Sequence, residues 1–75
     1  MKTAKQLFPE IDIYTDEHVD LFNRFTGEKA TVTGEEASVY DLIIGAEMLG
    51  SYDIVRKGLA WFRQKNPEAY MVLLD

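Results

Sequence analysis

The sequence predicts a mainly α-helical fold, a small compact bundle of three to four helices around an antiparallel helical hairpin. Three observations lead to this prediction. A capping box at Thr33 opens a run of apolar residues with helical spacing, the pair Gly50-Ser51 interrupts the run, and Asn66-Pro67 opens a last helix. Residues 1–75 are predicted to form a single helical domain, because a chain of this length builds one core.

The first third of the chain contains two predicted helical segments. Residues 4–8 are expected to form one helical turn, which Pro9 ends. A first long helix is predicted from an N-cap at Thr15 to about Thr26, with Gly27 directly after its C-terminus. The predicted inner face of this helix follows the spacing i, i+3, i+4, i+7 and comprises His18, Leu21, Phe22 and Phe25.

Two short segments have the character of strands. Ile11 and Ile13 alternate with polar residues, and residues 29–33 are rich in β-branched side chains. This pattern allows a minor two-stranded pairing between residues 11–14 and residues 29–33. Such a pair is marginal by itself, so its stability would depend on the helices.

The predicted hairpin covers residues 34–65. Its first helix runs to about Leu49 and ends at Gly50, and its second helix begins at a Ser51 cap and continues to about Lys65. Both helices contain a glycine, Gly45 or Gly58, where glycine costs roughly 1 kcal/mol relative to alanine. We interpret the glycines as sites of close backbone approach between the helices, or as space for the side chain of a partner.

The segment Gly50-Ser51-Tyr52-Asp53, followed by Pro67, is similar to the turn and second helix of a tetratricopeptide unit. The resemblance covers about 30 residues and one copy, whereas such repeats need about three copies to bury a shared core. The chain departs from the family at Val55 and Phe62, which stand where that family has small residues. The resemblance therefore implies a helical hairpin and no binding residues.

The first helix of the hairpin has apolar residues on two faces. Its main stripe is Val39, Leu42, Ile43, Ala46 and Leu49. A second stripe, Tyr40, Ile44 and Met48, is spaced by four residues. Two interpretations follow: the helix is central in the bundle, or its second stripe faces a partner protein through adaptable Tyr and Met side chains.

Half of the eight basic residues lie within ten positions around the only tryptophan, Trp61. Helical spacing places Arg56 and Arg63 on one flank and Trp61 on the other, beside Ile54. This spread favours a solvated helix face over a phosphate-binding stripe, and Trp61 is either the largest core residue or an interface residue. The candidate partner-binding residues are therefore Tyr40, Ile44, Met48, Arg56, Trp61 and Arg63.

The charge distribution favours protein contacts over nucleic acid. Residues 1–50 contain ten acidic and four basic residues, net −6, and residues 51–75 contain three acidic and four basic residues, net +1. These sum to the net charge of −5, and phosphate binding requires the opposite sign.

The chain has no apolar segment near the roughly 20 residues that span a bilayer, and it has no cysteine. We therefore expect a cytoplasmic protein without a membrane segment.

No residue pattern typical of catalysis is present. His18 is the only histidine, and on a helix face it is more typical of a boundary residue than of a ligand or base. The segment "GEKATVTG" at residues 27–34 lacks the residue order of a phosphate-binding loop. The sequence therefore predicts no catalytic residues, no metal site, no cofactor and no enzymatic activity.

The predicted function is that of a small acidic protein-binding module, such as an adaptor, an inhibitor or a regulatory subunit. In type the chain resembles the short accessory proteins that are common in phage and bacterial genomes. Its expected partner is another protein, a second copy in a homodimer, or both. Two alternatives stay open: a helix-turn-helix nucleic-acid binder that uses residues 52–65, and a self-associating structural protein.

Overall fold

The fold consists of four helices and one β-hairpin. The computed structural model describes residues 1–75. In chain order the elements are α1 (Ala4–Leu7), β1 (Val19–Phe22), β2 (Lys29–Val32), α2 (Gly34–Leu49), α3 (Tyr52–Lys65) and α4 (Pro67–Leu73). More than half of the residues are helical, which confirms the predicted mainly α class with a minor two-stranded pairing. None of the helices combines the length and the hydropathy needed to cross a membrane.

The antiparallel hairpin of α2 and α3 is the centre of the fold, as predicted. Gly50 adopts the left-handed conformation with φ 72°, which ends α2. Gly58 lies directly against Ile43, so that a Cβ atom at Gly58 would stand 2.5 Å from Ile43 Cγ1. The predicted close approach is thus confirmed at Gly58. At Gly45 a Cβ atom would meet nothing within 4 Å, so that glycine serves no contact within the chain.

The predicted capping box begins α2. The Thr33 hydroxyl oxygen accepts a hydrogen bond from the Glu36 backbone N–H at 3.1 Å, and the Glu36 carboxylate accepts one from the Thr33 N–H at 3.0 Å. Ser51 also precedes a helix, as predicted, but its side chain makes no capping hydrogen bond. The start of α3 is fixed instead by the tight turn at Gly50, where the Ser51 N–H donates to the Ala46 carbonyl at 2.8 Å.

This difference between the two caps gives a first prediction. Thr33→Ala should lower the free energy of unfolding by about 0.5–2 kcal/mol, because the Glu36 backbone N–H loses the hydroxyl oxygen that accepts its hydrogen bond. Ser51→Ala is the matched control and should change it by less than about 0.5 kcal/mol. Chemical denaturation monitored by circular dichroism measures both. An equal decrease in the free energy of unfolding of the two variants would contradict the conclusion that Thr33 caps its helix and Ser51 does not.

The helix predicted over residues 15–26 is wrong: this part of the chain forms the β-hairpin. Residues 19–22 pair antiparallel with residues 29–32, with Val19 opposite Val32 and Phe22 opposite Lys29. Asn23 makes the turn, since its side-chain oxygen accepts hydrogen bonds from the N–H groups of Phe25 and Thr26. The expected inner face does not exist, because His18, Phe22 and Phe25 are exposed and only Leu21 packs on the core.

The expected pairing of residues 11–14 with residues 29–33 is also wrong, because β1 occupies the edge of β2. Residues 11–18 instead cross the start of α2. The Tyr14 N–H donates to the Ser38 hydroxyl at 2.9 Å, and a Cβ atom on Gly34 would stand 2.4 Å from the Tyr14 carbonyl oxygen. Gly34 is therefore required where the loop approaches the helix backbone.

The hydrogen bond that Tyr14 donates to Asp41, together with the negative charge of that carboxylate, raises the pKa of the tyrosine hydroxyl above its ordinary value.

The core lies between the helical hairpin, the sheet and the two short helices. Its fully buried large side chains are Val39 and Ile43 of α2 and Phe62 of α3. Val32 joins them from β2, and α1, which ends just before Pro9 as predicted, contributes Ala4. The last helix is also confirmed: the Asn66 side chain accepts from the Ala69 N–H at 3.1 Å, and Pro67 is the first helical residue.

Candidate protein-interaction surface

Large apolar side chains are exposed at one end of the α2–α3 hairpin. Met48 and Leu49 occupy the last turn of α2, and Tyr52 is the first residue of α3. Together with Phe25 of the β-turn, they are 65–88% exposed. Exposed apolar side chains of this size on a small protein make this end of the hairpin a candidate interaction surface.

Two contacts hold the β-turn beside this end of the helical hairpin. The Arg24 guanidinium lies 3.9 Å from the Glu47 carboxylate in the last turn of α2. The Asn23 side-chain amide donates to the Val72 carbonyl of α4 at 2.7 Å. The Asn23 bond fixes the turn against α4, whereas the exposed Arg24–Glu47 pair adds little. The turn presents Phe25 to solvent with the Arg24 guanidinium 5.4 Å from the centre of its ring.

A groove of about 480 Å³ lies between the β-turn, α3 and the end of α4. We call it the hairpin-end groove. Its apolar lining is supplied mainly by Val55, Leu59, Leu73 and Leu74, all of which are buried or half-buried. Its rim carries the two exposed aromatic side chains and the charged groups, namely Phe25, Tyr52, Arg24, Glu47 and Asp75. An apolar floor with a polar rim is the anatomy of a protein-binding site.

Tyr40 and Trp61, two of the six candidate residues, lie in the core. Tyr40 is 7% exposed and Trp61 is 4% exposed. The Trp61 indole N–H donates to the Lys2 carbonyl at 2.9 Å, which satisfies its one donor and fixes the start of the chain on α3. The structure therefore places Trp61 in the core, which is one of its two predicted locations. Neither Tyr40 nor Trp61 can contact a partner without a rearrangement of the core.

Ile44 and Met48 continue the stripe of Tyr40 from the core to the surface. Ile44 is half-buried and packs against the core, whereas Met48 is exposed beside the groove residue Glu47. Only the C-terminal end of the stripe thus reaches solvent. Besides the helices α3 and α1, strand β1 of the unpredicted β-hairpin packs against α2.

Arg56 and Arg63 are exposed on α3 and line none of the surface grooves. Arg56 forms an ion pair with Asp53 one turn earlier. Lys65 lies 3.9 Å from Glu35 of α2, which is a pair between the helices of the hairpin. Exposed pairs of this kind contribute about 0–1 kcal/mol each. The structure does not bring the six candidate residues together into one site.

A larger groove, of about 620 Å³, lies between α1 and the hairpin. Its large apolar side chains are Leu7, Phe8, Ile11, Leu42 and Ile54, and all five are buried or half-buried. None of the strongly exposed apolar side chains of the chain lines it. The hairpin-end groove differs from it in having two large exposed aromatic side chains, Phe25 and Tyr52, on its rim.

Phe25 and Tyr52 were not predicted as site residues. The signal for Phe25 is the turn sequence from Asn23 to Gly27, in which an apolar residue at the tip has no core to face. The signal for Tyr52 is its position at the first residue of a helix after a two-residue turn.

In comparisons with known protein families, curated proteins and solved structures, no family model, protein or structure matches the chain.

Proposed function

We propose that the protein is a non-enzymatic protein-binding module, an accessory adaptor, inhibitor or regulatory subunit of the cytoplasm, and that it binds its partner through the hairpin-end groove. One observation carries the proposal. Phe25 and Tyr52, which are large and exposed, stand on the rim of an apolar groove that a rigid scaffold holds in place. Aromatic side chains in this arrangement are the usual anchors of protein interfaces.

The energy of burial supports this use of the surface. Complete burial of an exposed Phe, Met or Leu side chain contributes about 1.5–3 kcal/mol. Phe25, Met48 and Leu49 are each at least 80% exposed, so a partner that covers them would gain most of that amount from each. The attachment of the β-turn to α4 through Asn23 reduces the entropy that the surface loses on binding.

Nucleic-acid binding through α3 is the alternative, and the geometry of the hairpin gives it little support. Ile43 lies seven residues before Gly50 and Gly58 lies seven residues after Ser51, yet they are in contact. About 10 Å from the turn the helices are thus still together, unlike the helices of a helix-turn-helix unit, which diverge at about 90–120°. Two of the four basic residues of α3 also pair with carboxylates.

Affinity capture from the native host followed by calorimetry with the purified partner tests the proposal. We expect Phe25→Asp to weaken binding at least about 30-fold, the effect of losing one interface anchor. Met71→Asp is the matched control, because Met71 is also exposed and lies outside the groove. Circular dichroism should show both variants folded.

Two results would count against the proposal. One is a partner that binds Phe25→Asp and Tyr52→Asp as tightly as it binds the wild-type protein. The other is salt-sensitive binding to duplex DNA that disappears in the double variant Arg56→Ala, Arg63→Ala, which would favour the nucleic-acid alternative.

A further inference from the structure

We infer that the occupant of the hairpin-end groove is a second copy of this chain, in a two-fold symmetric dimer. In this arrangement Phe25 of each copy inserts into the groove of the other. The inference rests on the proposed use of this surface and adds the identity of the partner. It requires that the surface be complementary to itself in shape, in charge and in area.

The shape requirement is met because a protruding side chain and an apolar groove lie on the same face. Phe25 is the most exposed of the large apolar side chains, and it lines the solvent-facing edge of the groove. Val55, Leu59 and Leu74, which line the groove, are only half-buried within the chain. A two-fold axis beside Phe25 would place each phenyl ring over these residues of the other copy. Each contact would then occur twice.

The charge requirement is met because the rim carries both signs. Arg24 and Glu47 are 3.9 Å apart, at the outer limit of an ion pair, and both side chains remain nearly half exposed. In a symmetric contact, Arg24 of one copy can approach Glu47 of the second copy, and the reverse pair forms at the same time. Asp75 adds a further rim carboxylate that has no cation within its own chain. The rim thus holds one positive and two negative side chains, and the reciprocal pairing provides partners for Arg24 and Glu47.

The area requirement is met at the lower end of the range for stable dimers. Such dimers bury about 600–1,000 Å² on each copy, which is roughly 12–20% of the 5047 Å² surface of this chain. Phe25 and Tyr52 on the rim, together with Met48 and Leu49 in the last turn of α2, offer roughly 500–600 Å² of side-chain surface, with aromatic side chains of about 150–250 Å² each. Met48 and Leu49 lie outside the groove, so the dimer contact has to extend beyond the groove onto the end of α2. The half-buried residues of the groove supply the remainder.

Sedimentation equilibrium of the wild-type protein and single variants is the first experiment. We expect the wild-type protein to form a dimer at concentrations below about 1 mM, the range of weak specific association. Phe25→Asp should raise the dimer dissociation constant at least about 30-fold for each of its two equivalent contacts. Met71→Asp, as the exposed control, should leave the dissociation constant unchanged.

Charge reversal tests the arrangement itself. Arg24→Glu and Glu47→Arg should each weaken self-association, because each variant places like charges next to one another, both within a copy and between copies. An equimolar mixture of the two variants should recover a heterodimer, because each copy then supplies the charge that the other lacks. A contact within one chain cannot produce this recovery. A mixture that stays monomeric would overturn the symmetric arrangement.

The outcomes separate this inference from the proposed function. A wild-type protein that is monomeric up to about 1 mM contradicts the dimer and leaves the binding of a different protein intact. A dimer that persists in Phe25→Asp contradicts the use of this groove by a second copy. A dimer lost in Phe25→Asp and recovered in the charge-reversed mixture supports the inference, whatever other protein is captured from the host.

Discussion

Replacement of Gly58 by valine is expected to lower the free energy of unfolding by about 3 kcal/mol, the upper end of the range for an overpacked core. Even the first added carbon atom would stand 2.5 Å from Ile43 Cγ1, and Val39 Cγ1 is 3.8 Å away. Ile43 and Val39 are both fully buried, so neither can move without disturbing the core. The helices α2 and α3 would have to separate.

The control for this prediction is the other helical glycine. A Cβ atom at Gly45 meets no neighbour, so Gly45→Ala should raise the free energy of unfolding by about 0.5–1 kcal/mol through helix propensity. Urea denaturation should therefore shift the midpoint in opposite directions for the two variants. If Gly58→Val left the midpoint unchanged, the helices would not be in contact at Gly58. A lower free energy of unfolding in Gly45→Ala would show that Gly45 has a neighbour, in the chain or in a second copy.

The helical hairpin could be predicted because its signals are local. The capping box of Thr33 and Glu36 spans three residues, and the left-handed glycine at Gly50 ends α2 through hydrogen bonds to its own last turn. Such interactions depend little on the rest of the fold. The interior glycines indicated a close approach, but Gly45 carries the same signal as Gly58 and meets no neighbour, so the sequence does not say which of the two makes the contact.

The β-hairpin could not be predicted because distant contacts decide it. The spacing of His18, Leu21 and Phe25 fits a helix, while the alternation at Val19 and Leu21 fits a strand equally well. Four-residue strands are marginal alone, so the choice depends on what they pack against. Asn23 bonds to Val72, 49 residues away, and no local pattern indicates that contact.

The candidate surface was predicted only where it lies on a helix. Met48 was identified from its spacing, but Tyr40 and Ile44 of the same stripe turned out to be covered by other elements. The groove itself is formed by the β-turn, α3 and α4, so that its position depends on the strand that sequence reasoning missed. A site assembled from separate elements can be located only after their packing is known.

The junction between α2 and α4 gives the last prediction. The Glu36 carboxylate is buried, and besides the Thr33 N–H it accepts a hydrogen bond from the Asn66 side-chain amide at 3.0 Å. The oxygen of the same Asn66 side chain caps α4 through the Ala69 N–H. Two helix starts are thus joined by one pair of side chains that are 30 residues apart in the sequence. Asn66→Asp keeps the cap but removes the donor, and it places a second carboxylate against the first.

We expect Asn66→Asp to lower the free energy of unfolding by about 2–3 kcal/mol, because the buried carboxylate loses its donor and gains a like charge. Glu36→Gln alone should cost only about 1 kcal/mol, since glutamine preserves the capping box. The double variant, Glu36→Gln with Asn66→Asp, removes the repulsion between the two carboxylates and leaves the net charge unchanged. It should therefore be more stable than Asn66→Asp by about 1–2 kcal/mol in a double-mutant cycle measured by urea denaturation. Additive losses in the double variant would contradict the direct contact between the two side chains, because independent sites show no coupling.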